Sequence, residues 1–160
     1  MRRKTKTKRS LSPDIAFQSL KVAQLVNYLM QDGKKELARR VVAEAMAEIK
    51  KETKEDPLQI FEQAVHNVSP VMEVRSRRVG GANYQIPHEV SASRRLTLAL
   101  RWIVNFARLK KGKPMSKRLA EEVMAASRNE GESVKKRENM QKMADANRAF
   151  AHFARGRRSF

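Results

Sequence analysis

The sequence predicts a mainly α-helical fold: about six helices in one bundle-like domain, with a two-stranded β-hairpin protruding between the third and the fourth. Three observations predict it. Apolar residues recur at helical spacing in several stretches separated by capping and breaking residues. The pattern turns β-prone in one place, over residues 71–90. A chain of 160 residues, 41% of them hydrophobic, has the material for a single core.

Pro13-Asp14 opens the folded part. Leu20, Ala23, Val26 and Met30, with Leu25 and Leu29 beside them, predict the first helix, and Gly33 sits where it would stop. The second runs from Lys34 to about Lys54 on a stripe of Leu37, Val41, Ala45 and Ile49. Asp56-Pro57 places a capping residue before a proline at the first helical position. The third helix then carries Leu58, Phe61, Val65 and Val68, and Pro70 ends it. Two β-prone arms flank a Gly80-Gly81-Ala82-Asn83 turn, and Pro87 suits the open edge of a ribbon. Ser91 or Ser93 caps a fourth helix with Leu96, Leu100, Ile103 and Ala107, with Trp102 and Phe106 packing too. After a basic loop from Lys110 to Pro114, Ser116 starts a fifth helix with Leu119, Val123 and Ala126, ended by Asn129 or Gly131. Ser133 starts a sixth, with Met140, Met143, Asn147 and Phe150 roughly in line as core. The organisation is a basic arm over 1–12, a helical domain over 13–153 and a basic tail over 154–160.

Charge carries the functional information. Lysine and arginine number 35 against 17 acids, a net charge of +18. Like charges repel in a compact state, so such a surplus points to a polyanionic partner. It is unevenly spread. Residues 1–10 hold six bases (Arg2, Arg3, Lys4, Lys6, Lys8, Arg9) and no acid. Such a block reads as an arm lying along phosphates, with a solubilising tail or a targeting address as alternatives. From Glu36 to Glu62 the balance reverses to seven acids against five bases, a solvated face. From Arg101 to Arg118 there are seven bases and no acid.

The hairpin is the most informative segment. Seven residues from Glu73 to Val79, at about 3.3 Å each, would project about 23 Å from the body. An isolated ribbon is marginal in water, so that length calls for a partner. Alternation puts Arg75 and Arg77 on one face and Arg78 on the other. The tip glycines Gly80 and Gly81 allow close backbone approach, and Tyr84 either stacks on a base or packs on Val74. Dimerisation through the arm is the weaker alternative, because apposed arginines repel. Arg94 and Arg101 lie two turns apart on one helical face, beside Arg95, and arginine's planar fork bonds two phosphate oxygens at once.

Enzyme-like fragments fail. Gly33-Lys34-Lys35 lacks the upstream glycine of a phosphate loop, which would fall at Tyr28. Cysteine is absent, and the scattered His66, His88 and His152 suggest no metal cluster. His66 and His152 read as packing residues. No carboxylate pair or nucleophile–base set stands out, so neither cofactor nor catalysis is expected. A duplex-DNA architectural protein and a membrane-surface protein are the competing binding classes. No stretch approaches the ~20 apolar residues of a membrane span.

Five motifs resemble one family. They are Val74-Arg75-Ser76-Arg77-Arg78-Val79-Gly80-Gly81-Ala82-Asn83-Tyr84-Gln85-Ile86-Pro87, Asp32-Gly33-Lys34-Lys35, Leu98-Ala99-Leu100-Arg101-Trp102, Val134-Lys135-Lys136-Arg137-Glu138 and the run from Met143 to Phe153. In order and spacing they resemble the bacterial small-subunit ribosomal protein seven family, over about residues 2–153. The resemblance implies a primary binder of small-subunit ribosomal RNA. Such a protein starts assembly of the subunit head at a junction of the 3′ major domain. It also implies exit-site transfer RNA and messenger RNA nearby, and small-subunit proteins nine and eleven as partners, with no membrane or DNA. The expected place is the cytoplasmic ribosome, with an organellar ribosome the alternative.

Carried onto this chain, the expected ribosomal-RNA contacts are the arm residues Arg2, Arg3, Lys4, Lys6, Lys8 and Arg9, together with Lys34 and Lys35. The hairpin adds Arg75, Arg77 and Arg78, and the fourth helix and the loop after it add Arg94, Arg95, Arg101, Lys110, Lys111 and Lys113. Near the exit site are Arg78, Gly80, Gly81, Ala82, Asn83 and Tyr84, then Lys135, Lys136, Arg137, Lys142 and Arg148. The chain departs from the family's pattern at His88, at Ser91-Ala92-Ser93 and in Ala154 to Phe160, which adds three arginines.

Overall fold

A computed structural model describes residues 11–155. The basic arm from Arg2 to Arg9 and the end of the tail lie outside the described residues. Six helices are formed: α1 (Leu20–Leu29), α2 (Lys35–Thr53), α3 (Pro57–Val68), α4 (Ala92–Leu109), α5 (Met115–Ser127) and α6 (Glu132–Ala146). Strands β1 (Met72–Val79) and β2 (Ala82–Glu89) make an antiparallel ribbon between α3 and α4. The expected mainly helical fold with its hairpin is therefore present.

Helix α5 is the centre of the body and packs on α2, α3 and α4. Phe61, Leu25, Ile49, Leu100, Ile103 and Leu119 are almost fully buried around it. Local sequence sets the boundaries. The Asp56 carboxylate accepts a hydrogen bond from the Leu58 amide at 3.1 Å, and Pro57 supplies the fixed φ of the first helical position. Lys54 ends α2 in the left-handed region and donates its N–H to the Lys50 carbonyl.

Several expectations are corrected. The buried stripe of α2 is Ala38, Val42, Ala45, Met46 and Ile49, and Leu37 is exposed. The stripe is rotated toward Ala38 and Ala45, whose small side chains face the neighbouring helices. In α1, Leu20 is likewise exposed, and Val22, Leu25, Val26 and Leu29 are buried. Helix α6 stops at Ala146, and after Asn147 the chain tightens into a 3-10 helix, Arg148–Arg155. Met143 is exposed rather than core, because α6 rests on its neighbours mainly through Ser133, Val134 and Ala144. His66 and His152 are exposed, not packing residues.

The ribbon does not project bare. Strand β1 lies against α6, and β2 against the terminal 3-10 helix. Ile86, Pro87 and Val90 are buried there. The turn is also tighter than expected. Gly80 and Gly81 alone form it, with φ of +58° and +92°, so Ala82 and Asn83 already belong to β2. Positive φ at both positions gives a turn whose twist matches the strands, and glycine adopts it without strain.

Helix α6 is docked by one buried carboxylate. Glu122 of α5, 1% exposed, accepts hydrogen bonds from the Ser133 amide at 3.1 Å and the Ser133 hydroxyl at 2.7 Å. Its other oxygen lies 2.9 Å from the Lys110 ammonium. Burial works against ionisation of Glu122, but Lys110 and Ser133 outweigh it and hold the carboxyl below its ordinary range. Gly131, at φ +91°, makes room for this contact: a Cβ there would lie 3.2 Å from Glu122 Oε1. Replacing Glu122 by alanine would leave the Lys110 ammonium and the first turn of α6 without their partner. The expected cost is about 2–4 kcal/mol in urea unfolding, with α6 losing amide-exchange protection before α3 and α5 do.

Candidate nucleic-acid interface

The basic residues of β1 and α4 meet at the foot of the ribbon. Glu73 is 5% exposed and sits between two guanidiniums. The Arg94 Nε donates to Glu73 Oε2 at 2.7 Å, and Arg75 pairs with Glu73 Oε1 on the other side. Burial would raise the Glu73 carboxyl; the hydrogen bonds from Arg94 and Arg75 and their charges overcome it and hold it below its ordinary value of 4.5. One carboxylate thus joins the ribbon to the start of α4 and neutralises part of the arginine repulsion there.

From this point the charge continues along one face of α4. Residues 94, 101 and 108 are each seven apart, so they align along the helix. The Arg101 guanidinium stands 5.4 Å from the centre of the Tyr28 ring. Tyr28 donates its hydroxyl hydrogen to Thr97 at 3.3 Å. Arg108 donates to the Tyr28 and Leu29 carbonyls, the last of α1. Arg118 in turn donates to the Arg108 and Lys110 carbonyls at the end of α4. These bonds satisfy helix ends that would otherwise keep orphan carbonyls.

The strip therefore runs from Arg75 through Arg94 and Arg101 to the α1–α2 turn, where Lys34 and Lys35 are exposed. At the same end lies the α4–α5 loop with exposed Lys111. Two of the expected phosphate ligands there are already engaged with carboxylates: Lys110 with Glu122 and Lys113 with Glu121. Hydrogen bonding to Glu121 raises the Lys113 ammonium above its ordinary value. Arg95 turns off the strip and donates to the Val90 carbonyl at 2.8 Å. Tyr28 and Arg108 also lie along this line, outside the expected set, with Arg108 turned to the carbonyls of α1. Arg108 was legible as the next seven-residue step after Arg101.

Of the second expected cluster, the structure brings Tyr84 of the ribbon against the segment after α6. The ring of Tyr84, on β2, lies 5.2 Å from that of Phe150, tilted at 53°. Tyr84 thus packs on the terminal 3-10 helix, and not on Val74 as one of the two expected arrangements had it. Arg78, Gly80, Gly81, Ala82 and Asn83 are exposed around the tip, and Lys135, Lys136, Lys142 and Arg148 are exposed on α6 and the segment after it. Arg137 is turned inward, donating to the Asn67 carbonyl and to Asn129 Oδ1. Lys135 pairs with Glu132 at 2.7 Å, and that hydrogen bond raises its ammonium above the ordinary value.

Among the described residues there is no group of three or more His, Asp or Glu side chains placed to hold a metal ion, and no helix long and apolar enough to cross a membrane.

The family pattern described as ribosomal protein S7p/S5e matches residues 1–148. The chain belongs to that family. It is 55% identical over 153 residues to the small ribosomal subunit protein uS7 of Thermotoga maritima, covering 96% of this chain and 99% of that one. The uS7 of Fervidobacterium nodosum is 50% identical over 153 residues, covering 96% and 99% of the two chains. That of Caldanaerobacter subterraneus is 52% identical over 146 residues, covering 91% and 94%. Membership in the S7p/S5e family makes the chain a structural component of the small ribosomal subunit, a ribonucleoprotein of the translation machinery, and not an enzyme.

The Glu73 clasp gives a pH dependence of definite sign. Its folded-state carboxyl is lowered, so its stabilisation is complete above the ordinary value of 4.5 and is lost as the pH falls through the lower, folded-state value. Glu73→Gln should therefore melt below the parent chain at pH 7, and the gap should narrow steadily in acid. Thermal unfolding followed at both pH values reads this; a gap that widens in acid would contradict the assignment.

Proposed function

We propose that the chain is a primary binder of small-subunit ribosomal RNA. In this reading it holds a multi-helix junction of the 3′ major domain and nucleates assembly of the subunit head. The single observation that carries the reading is the continuous strip from Arg75 through Arg94 and Arg101 to Lys34, Lys35 and Lys111. It is built on a rigid helix face and has one aromatic ring, Tyr28, set beneath a guanidinium. Such a strip fits RNA better than a base-reading site does. The deep, narrow major groove of A-form RNA admits few side chains, so phosphates, shape and unstacked bases carry recognition.

The arm from Arg2 to Arg9 extends the same chemistry. The tip of the ribbon and the exposed bases of α6 form the second contact, toward exit-site transfer RNA and messenger RNA. Small-subunit proteins nine and eleven are its protein neighbours in this reading. The duplex-DNA reading is the weaker one, since the sides of the ribbon lie on α6 and the terminal 3-10 helix and the exposure is concentrated at its tip.

Binding to the isolated 3′ major domain should fall steeply with salt, as released counterions dictate. Lys111→Ala, which removes an exposed charge with no folding role, should weaken that binding and lower the slope of log affinity against log salt by about one. Arg78→Ala should leave the junction affinity nearly intact and alter chemical protection at the exit site instead. Filter-binding titrations across salt and chemical probing of assembled subunits measure the two effects. An unchanged slope for Lys111→Ala would remove that residue from the phosphate face.

A further inference from the structure

A cleft of about 900 Å³ opens on the side of α4 away from the Arg94–Arg101 strip. Its floor is apolar: Val65 of α3, Val71 at the foot of the ribbon, and Ala92 and Leu96 of α4. Val71 is 54% exposed, unusual for a valine beside a buried sheet end. The rim carries four permanent cations, Lys21, Arg95, Arg137 and Lys142, against two carboxylates, Glu62 and Glu138. Both carboxylates are already spent, on Lys21 at 2.8 Å and on Arg137 at 3.4 Å. His66 and Lys142 stand exposed at the rim with no ion pair among the described residues. The first turn of α4 opens here too, and its capping residue Ser91 makes no side-chain bond to it, so the helix's positive end adds to the field.

We infer that this cleft is the docking site of a short acidic segment of a neighbouring protein, anchored by apolar side chains on the floor and by carboxylates on the rim. The two properties of the cleft select the occupant together. A phosphate backbone would satisfy the rim, yet it would bury the valine and leucine floor without an apolar group to cover them. A purely apolar helix would cover the floor, yet it would desolvate His66, Lys142 and the α4 start without pairing them. A segment alternating apolar and acidic residues meets both demands, and a cleft of this size takes a few side chains rather than a globular face. The inference is independent of the strip that carries the ribosomal-RNA reading, because the strip and the cleft lie on different sides of α4; it takes Lys142 out of the exit-site contact and gives it to the acidic segment.

The test uses the full chain assembled into small subunits, with Val71→p-benzoylphenylalanine as the probe. Irradiation should yield an adduct to a subunit protein, and mass spectrometry should place the attachment on a segment with carboxylates within a few residues. His66→Glu in the same chain, which repels the acidic rim partner, should cut the adduct yield about tenfold. His66→Lys should preserve it. Far-ultraviolet dichroism of the free chain and its recovery in sedimenting subunits establish that both variants fold. An adduct to RNA, an adduct to a lysine- or arginine-rich segment, no adduct, or a yield equal in the Glu and Lys variants would overturn the inference.

Discussion

A chain with this surplus of positive charge must keep its basic elements adjacent before any polyanion arrives. The ion triad at Glu73 is the interaction that makes this possible. The carboxylate is covered by Arg75 and Arg94, one on either oxygen, and their hydrogen bonds and charges keep it ionised at the foot of the ribbon. It ties the foot of β1 to the start of α4 and of the basic strip, while α6 and the terminal 3-10 helix support the ribbon along its length. Glu122 repeats the solution at the other end of the body, where it ties Lys110 to the first turn of α6. Each site spends one acid to fix two elements.

A further set of cations works inward. Arg108, Arg118 and Arg137 donate to the closing carbonyls of α1, α4 and α3, respectively. A cation near a helix C-terminus is also favoured by the helix dipole. Net charge thus overstates what is offered to a partner. Part of it is internal mortar, and the remainder is concentrated where the helix face and the ribbon tip leave it uncovered.

Much of this was legible in the sequence. Period, caps and breakers located the six α-helices and the ribbon, though not the 3-10 turn after α6, and Asp56-Pro57 marked a boundary that the Leu58 hydrogen bond bears out. The faces were harder. In α2 a stripe one residue off, on Leu37 and Val41, scores as well as the true one, because the choice between Leu37 and Ala38 is made by how closely another helix approaches. In α6 the methionines looked like core because periodicity says nothing of whether a neighbour exists on that side. At the interface, the residue types and the seven-residue step from Arg94 to Arg101 were visible. The partners of Lys110, Arg95 and Arg137 were not, since each reaches across the fold to a group that only tertiary structure supplies. Arg108 is bonded 80 residues back to Tyr28, beyond any local pattern.

That long reach has a consequence for synthesis in time. The carbonyls ending α1 are closed by a side chain that leaves the polymerising machinery 80 residues later. At 5–20 residues per second the wait is about 4–16 s. During that interval the first helix has neither the Arg108 bonds to its closing carbonyls nor the Thr97 and Arg101 contacts of its tyrosine. The basic face becomes a defined surface only when the fourth helix emerges, because Arg94 and Arg101 lie on it and Arg101 and Arg108 join it to the first.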